Sequence, residues 1–503
     1  MLADRTASGT AGQGTILTWF FVMACALGLG LAVVAQPAAG IVATASTLGV
    51  LVLLRVRRHA SGLFLSVLGV LLIGYAFLGR GFAYLGFPPL YVGELALAVG
   101  IVAVGVGGGI HTALRNPLSR LLLVFVLWGA FRTLPYLSVY GLDALRDGVV
   151  WGYAVFAILV AAAFMRAGAF DRLQRVLRSV YPLLLVWLPI SLLLVSLQAS
   201  WLPLMPGTDI PLIQSKPGDA AVHLAGAAAF LGLGARAASG NSRPMSSLGS
   251  WFCWAAWAAG LLVTASQTRG GFLAAAAGLL LVMLARPFSS WWKFVAAATF
   301  VIGLFLIVGS ELDIGRVRRV SPQQIVANVQ SVFGSSPREG LDGTRRWRLD
   351  WWGDIVQYTV FGEHFWLGKG FGVNLAVDDG YVVDPTNPRP LRSPHNGHMT
   401  ILARTGVPGA IVWLGLQAAF AFALWGAYRR AVRRGHEHWA ALNGWLLAYW
   451  AAFMINGAFD VFLEGPQGGI WFWSVFGMGI AALEVQRNAG ASDEHPAPDR
   501  RPW

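Results

Sequence analysis

TILTWFFVMACALGLGLAVVA, residues 15 to 35, carries no charged side chain anywhere along its length. A helix of that length, rising about 1.5 Å per residue, crosses the roughly 30 Å hydrocarbon core of a bilayer and bonds every backbone polar group within itself. The segment before it holds only Asp4 and Arg5 as charges, and the run leads directly into a second apolar stretch without a convincing small-residue cleavage site. It therefore reads as a retained helix and not a removed leader. Outward from it, apolar runs of roughly 17 to 25 residues recur almost to the C-terminus. They place spans at about 15–35, 38–54, 61–78, 91–110, 119–134, 148–165, 183–201, 220–236, 251–268, 270–286, 294–310, 397–427, 440–457 and 469–486. The expected fold is an all-α polytopic membrane protein with about fourteen transmembrane helices.

Composition agrees. Apolar residues make up 56% of the chain, charged residues only 12%, and mean hydropathy is +0.60. These values exclude a water-soluble enzyme. Cys25 and Cys253 both fall in expected spans, where neither a structural disulfide nor a metal site is at home. The net charge of +13 would suggest nucleic acid in a soluble protein. Here the arginines sit in short turns between apolar runs, so the charge is a topology signal. With the N-terminus inside, the cytoplasmic turns hold Arg55, Arg57 and Arg58, then Arg166, Arg172, Arg175 and Arg178, and later Arg429, Arg430, Arg433 and Arg434. The short outer turns hold only Arg80, Arg132, Arg146, Lys216 and Arg269.

The spans divide the chain into 1–310 with eleven expected helices, an outer loop at 311–394, three further helices over 395–486, and a short cytoplasmic tail, expected to be disordered, at 487–503. So long a loop in a compact protein is usually functional. Within it, RRWRLDWWGDIVQYTVF (345–361) places Trp347, Trp351, Ile355 and Tyr358 on one stripe at helical spacing. Either the stripe lies on the membrane surface or over a cavity, or the helix packs on its own loop. Gly368, Gly370 and Gly372 follow, then an irregular stretch with Pro385, Pro388, Pro390 and Pro394. The 22 tryptophans gather near expected span ends, as an interfacial belt would require.

The chemistry concentrates where the loop re-enters the membrane, at SPHNGHMTILARTGVPGAIVWL (393–414). A histidine at the mouth of a membrane cavity can take a proton from a hydroxyl near neutral pH, and a neighbouring amide can orient a substrate. His395 and Asn396 are the candidates, against the alternative of a solvated interfacial histidine without a role.

His395 and Asn396, followed after nine residues by Gly406 and after two more by Gly409, resemble the signature of the O-antigen ligase and polymerase superfamily. SQTRGG (266–271) is similar to that family's outer-face Ser-x-Ser/Thr-Arg-Gly turn. GTRRWRLDWWGDIVQYTV with GKGFG (343–372) resembles the Arg and Trp helix and Gly-x-Gly run of its large periplasmic loop. The resemblance implies a membrane glycosyltransferase of GT-C-like architecture in the bacterial inner membrane, with both termini cytoplasmic and the active site periplasmic. It implies a glycan donor on undecaprenyl diphosphate, transfer to lipid A core or to another lipid-linked glycan, inversion at the anomeric carbon, and no metal or other cofactor. Ligase is favoured over polymerase of O-antigen or exopolysaccharide. A polysaccharide or lipid flippase, or a scaffold of an assembly complex, remain as other classes.

Such a reaction asks for cations beside the diphosphate, where negative charge builds up, and arginine suits this best. Arg146 and Arg269, in short outer turns, are the candidates, each against the alternative of snorkelling to headgroups. Arg404, about two and a half turns inside its span, departs from the acid that many family members carry there. It either binds phosphate or pairs with Asp460 or Glu464, and pairing is favoured. Asp460 and Glu464, in the last outer turn, are candidates for positioning an acceptor hydroxyl or orienting His395, with interfacial solvation the stronger reading for Asp460.

Overall fold

The computed structural model describes residues 59–494 apart from 88–89, 167, 198–200, 207, 234–246, 286–290, 309–319, 334–338 and 383–390. The expected spans at 15–35 and 38–54, and the prolines Pro385, Pro388 and Pro390, lie outside the described residues. The described chain is helical, with one small antiparallel pair joining Gly86–Phe87 to Leu90–Tyr91.

In chain order the first helices are α1 (Ala60–Leu78), α2 (Val92–Gly107), α3 (Ile110–Arg115), α4 (Pro117–Thr133), α5 (Leu137–Tyr140), α6 (Leu142–Gly152), α7 (Val155–Phe164) and α8 (Ala169–Ser196). Then come α9 (Pro217–Gly232), α10 (Ser247–Gln267), α11 (Arg269–Ala285) and α12 (Trp292–Val308). The loop contributes α13 (Pro322–Phe333), α14 (Glu339–Val360) and α15 (Leu375–Asp378), and α16 (Gly397–Arg433), α17 (Glu437–Gly457) and α18 (Pro466–Glu494) close the chain. Each expected span from 61–78 onward overlaps one of these helices or, for 148–165, the pair α6 and α7. By length and composition, seven segments are long and apolar enough to cross a membrane, and α2, α11 and α12 are shorter apolar helices. The tail expected to be disordered from Arg487 is helical to Glu494, because α18 continues without a break.

Helix packing follows membrane logic, in which small residues let backbones approach because burial alone does not separate helix from lipid. α9 is buried from Gly218 to Phe230 and packs on α11 and α17. A Cβ on Gly278 of α11 would lie 2.7 Å from the Ala225 Cβ, and one on Gly226 would lie 2.9 Å from the Tyr449 ring. Tryptophan departs from the expected belt. Trp257, Trp351, Trp413, Trp445 and Trp473 are among the largest fully buried side chains. Burial is tolerated because the indole N–H finds an acceptor: Trp257 donates to the Leu224 carbonyl at 2.8 Å and Trp445 to that of Gly226 at 3.1 Å.

The feature that positions the site is a break in α16. Gly406 has φ of 69°, outside the helical region, and Pro408 has no N–H to return to the carbonyl of Arg404. Carbonyls left open at such a kink must be bonded otherwise, and the large loop does this. Lys369 N–H donates to Ala403 O at 2.7 Å, Gly370 N–H to Arg404 O at 3.0 Å, and Val407 N–H turns out to Phe365 O at 2.8 Å. The spaced glycines are required by this dock. Gly370 has φ of 79°, and a Cβ there would meet the Tyr136 ring at 2.1 Å. Gly372 has φ of 105°, a Cβ there would lie 2.7 Å from the Tyr140 Cβ, and the two tyrosine rings stack at 6.0 Å. Gly370→Ala is expected to lower stability by about 2 to 4 kcal/mol, combining left-handed strain with overpacking. Thermal melting in detergent measures it, and a change below the resolution of the melt would contradict the dock.

The Trp stripe resolves in favour of packing on the protein's own loop. Trp351 and Ile355 are fully buried against Leu375, Ala376 and Ala403, with Trp347 and Tyr358 beside them. Trp351 Nε1 donates to Asp379 at 2.6 Å, and Lys369 pairs with both Asp378 and Asp379.

Candidate active site

His395 stands immediately before α16 with φ of 53°, the one non-glycine residue with positive φ among those described. A side chain held there costs conformational energy that the surroundings must supply. They do so from both sides. Trp352 Nε1 donates to the carbonyl of Pro394 at 2.9 Å. On the other side Asn396 caps α16, its side-chain oxygen accepting the N–H groups of His398 at 3.0 Å and Met399 at 3.2 Å. The Asn396 oxygen is thus engaged by the cap, and the residue's structural contribution is to fix the backbone beside His395.

The imidazole is about a third exposed, and its Nδ1 lies 3.9 Å from Asp460 Oδ1, within ion-pair reach but longer than a hydrogen bond. Asp460 also meets Lys216 Nζ at 3.4 Å and accepts the Val461 N–H at 2.8 Å. Burial works to raise the Asp460 carboxyl, but the His395 ring, Lys216 and the Val461 N–H outweigh it and hold the group well below the ordinary carboxylate range. A carboxylate that stays ionised beside one ring nitrogen stabilises an imidazolium and leaves the other nitrogen for proton transfer.

The turn that carries Asp460 is the meeting point of several elements. Arg348 Nη1, from α14, donates to Phe459 O at 3.1 Å, and the Trp347 ring lies 6.4 Å from that of His395. At the start of α11 a Cβ on Gly270 would lie 2.5 Å from the Phe459 Cβ, and one on Gly271 would lie 3.2 Å from Gly218 Cα. The two glycines of SQTRGG thus let the first turn of α11 press on both the Asp460 turn and the start of α9, bringing the Arg269 backbone to this junction.

A second charged cluster lies along the same segment, Arg392 to Asn396. Asp147 of α6 accepts from Arg404 Nη2 at 2.9 Å, Arg392 Nη2 at 3.0 Å and the Gly372 N–H at 3.2 Å. Asp143, one turn earlier, meets Arg392 at 3.3 Å and Arg146 at 3.5 Å. Arg404 Nη1 donates to the carbonyls of Gly370 and Val373 at 3.2 and 3.1 Å. Arg132 collects two more loop carbonyls, Leu367 at 2.6 Å and Gly368 at 3.5 Å.

The sequence-derived candidates therefore separate. His395, Asp460 and the Arg269 turn come together. Arg146 belongs to the second cluster and is mostly exposed, with Asp143 as its partner. Arg404 pairs, as favoured, but with Asp147 and not with Asp460 or Glu464. Its guanidinium is 1% exposed because the kink at Gly406 brings the loop over it, which a count of helical turns along a straight span does not anticipate. Glu464 is partly buried, with its Oε1 atom enclosed, and faces this cluster. Burial raises its carboxyl above the usual range, against the pull of Arg404. Residues that sequence reasoning passed over are Lys216, read only as a scattered outer cation, and Arg348, read only as part of the Trp helix. No spacing signal ties either to Asp460, because Lys216 and Asp460 are 244 positions apart.

Fold and site together define a polytopic helical membrane protein in which one large loop docks over a kinked helix and a histidine, a carboxylate and a lysine meet beneath it. A family model described as O-Antigen ligase matches residues 254–414. The stretch contains SQTRGG, the Trp helix with its glycine run, and His395 through Gly409, so the resemblance read from those motifs holds. Over these residues the chain is similar to the O-antigen ligase superfamily. No curated protein matches the chain.

Proposed function

We propose that the chain is an O-antigen ligase, taking a glycan from undecaprenyl diphosphate and transferring it to lipid A core on the periplasmic face of a bacterial inner membrane, within a GT-C-like array of about fourteen spans. The observation that carries the reading is the placement of His395 against Asp460, with Lys216 on the same carboxylate and the Arg269 and Arg348 segments at the same turn.

An acceptor hydroxyl gives its proton to the imidazole as its oxygen attacks the anomeric carbon. The bond from that carbon to the diphosphate oxygen breaks in the same displacement, and its electron pair leaves with the phosphate. Configuration at the anomeric carbon inverts. Asp460 stabilises the imidazolium that forms, and Lys216, Arg269 and Arg348 face the developing negative charge. This displacement requires no metal.

The test is transfer from a purified undecaprenyl diphosphate glycan in detergent with EDTA present, comparing wild type with Arg269→Ala. Transfer to lipid A core that survives EDTA and falls by about a hundredfold in the variant is the expected result. Longer lipid-linked chains without transfer to the core would change the reading to polymerase. Absence of transfer to any acceptor would favour a transporter.

A further inference from the structure

Beside Asp460, the first turn of α9 holds polar groups that the transfer chemistry does not use. Asp219 is 6% exposed, and neither carboxylate oxygen meets a hydrogen-bond partner beyond the residue's own backbone. Asn456 is 1% exposed and its side-chain nitrogen is equally unpartnered. Its amide lies over Gly218, where a Cβ would be 2.6 Å from the Asn456 oxygen. Ser215, 6% exposed, has a hydroxyl without a partner as well. Buried polar groups are almost always bonded, and leaving one open is costly, so three open residues together, Asp219 on the first turn of α9, Ser215 just before it and Asn456 packed on it, point to a missing polar occupant. The cluster is flanked by the partly exposed Lys216 and Asp460, both within electrostatic reach of Asp219.

We propose that Ser215, Asp219 and Asn456, set one helical turn from the Lys216 and Asp460 pair, form a hydroxyl-binding subsite for the first sugar of the lipid-linked glycan. This rests on the transferase reading above. The chemistry is complementary: a carboxylate accepts from two sugar hydroxyls, an amide N–H donates to a third oxygen, and a serine hydroxyl does either. The position is complementary too. The first sugar is joined directly to the diphosphate, so a diphosphate held by Lys216 and its neighbouring arginines brings that sugar to the groups next to them. A carboxyl here favours a polyhydroxylated ring, whose hydroxyls it can bond, over a lipid diphosphate that carries no sugar.

The test compares binding of radiolabelled undecaprenyl diphosphate with that of undecaprenyl diphosphate N-acetylglucosamine, using the full chain in detergent. Wild type, Asp219→Asn and Ser215→Ala are measured side by side. Wild type is expected to hold the sugar-bearing lipid about tenfold or more tighter than the bare one, and both variants to narrow that preference while binding the bare lipid as wild type does. Ser215→Ala removes only a hydroxyl, so it decides the matter even if Asp219→Asn does not fold. An unchanged preference in the variants, or equal binding of both lipids by wild type, overturns the subsite and leaves the transferase reading standing, the buried groups then being served by water. Failure of wild type to bind either lipid overturns both.

Discussion

Arg404→Ala should unlatch the large loop. The guanidinium is almost completely buried and serves three acceptors on two segments: Asp147 of α6, and the carbonyls of Gly370 and Val373 in the loop. Truncation leaves those carbonyls without donors, and Asp147 with only Arg392 and a backbone N–H. Breaking one side of a buried ion pair costs about 3 to 5 kcal/mol, mostly the penalty of the charge left behind. A fall in melting temperature together with new protease sensitivity between residues 361 and 382 is the expected pair of signs. Arg404→Lys should recover little, because a single ammonium cannot reach a carboxylate and two carbonyls in the planar geometry of the fork. If the variant melts like wild type and instead loses affinity for undecaprenyl diphosphate, Arg404 is a phosphate ligand and the latch is refuted.

His395→Ala should abolish most of the transfer, by about 10² to 10⁴ in kcat with little change in KM, since a general base acts in the transition state. Asp460→Asn should lose less. The double variant should be no worse than His395→Ala alone, because the carboxylate acts through the imidazole and effects within one unit do not add. Additive losses would place Asp460 on a separate task.

A pH experiment gives a second readout for the carboxylate. Its folded value is depressed, so its contribution to stability is present above its unfolded value, near 3.8, and is lost as pH falls below that toward the folded value. Wild type should therefore lose stability on acidification through that window more steeply than Asp460→Asn. Equal slopes would mean that His395 and Lys216 do not hold the ionised form.

How far the sequence carries depends on the range of the interaction. Helix placement was legible from 59 onward because apolar run length is a local property, and the break at Gly406 is written locally in the glycine and in Pro408. The motif residues were legible as well, although their reasons differ from what spacing suggests. Asn396 is a helix cap, Gly370 and Gly372 accommodate two tyrosine rings, and Gly270 and Gly271 let helix starts touch. The Trp helix showed its stripe but not what the stripe would bury against.

By itself the sequence determined a helical membrane protein, one large polar loop, and a histidine where that loop returns to the apolar chain, because each rests on hydrophobicity and residue type within a few turns. Which charge meets which was decided only in three dimensions. Arg404 finds Asp147 and not Asp460, Lys216 finds Asp460, and Asp219 is left open beside them. The physical reason is that an ion pair acts over a few ångströms of space, whereas the helices that bring those ångströms about join residues separated by hundreds of positions in the chain.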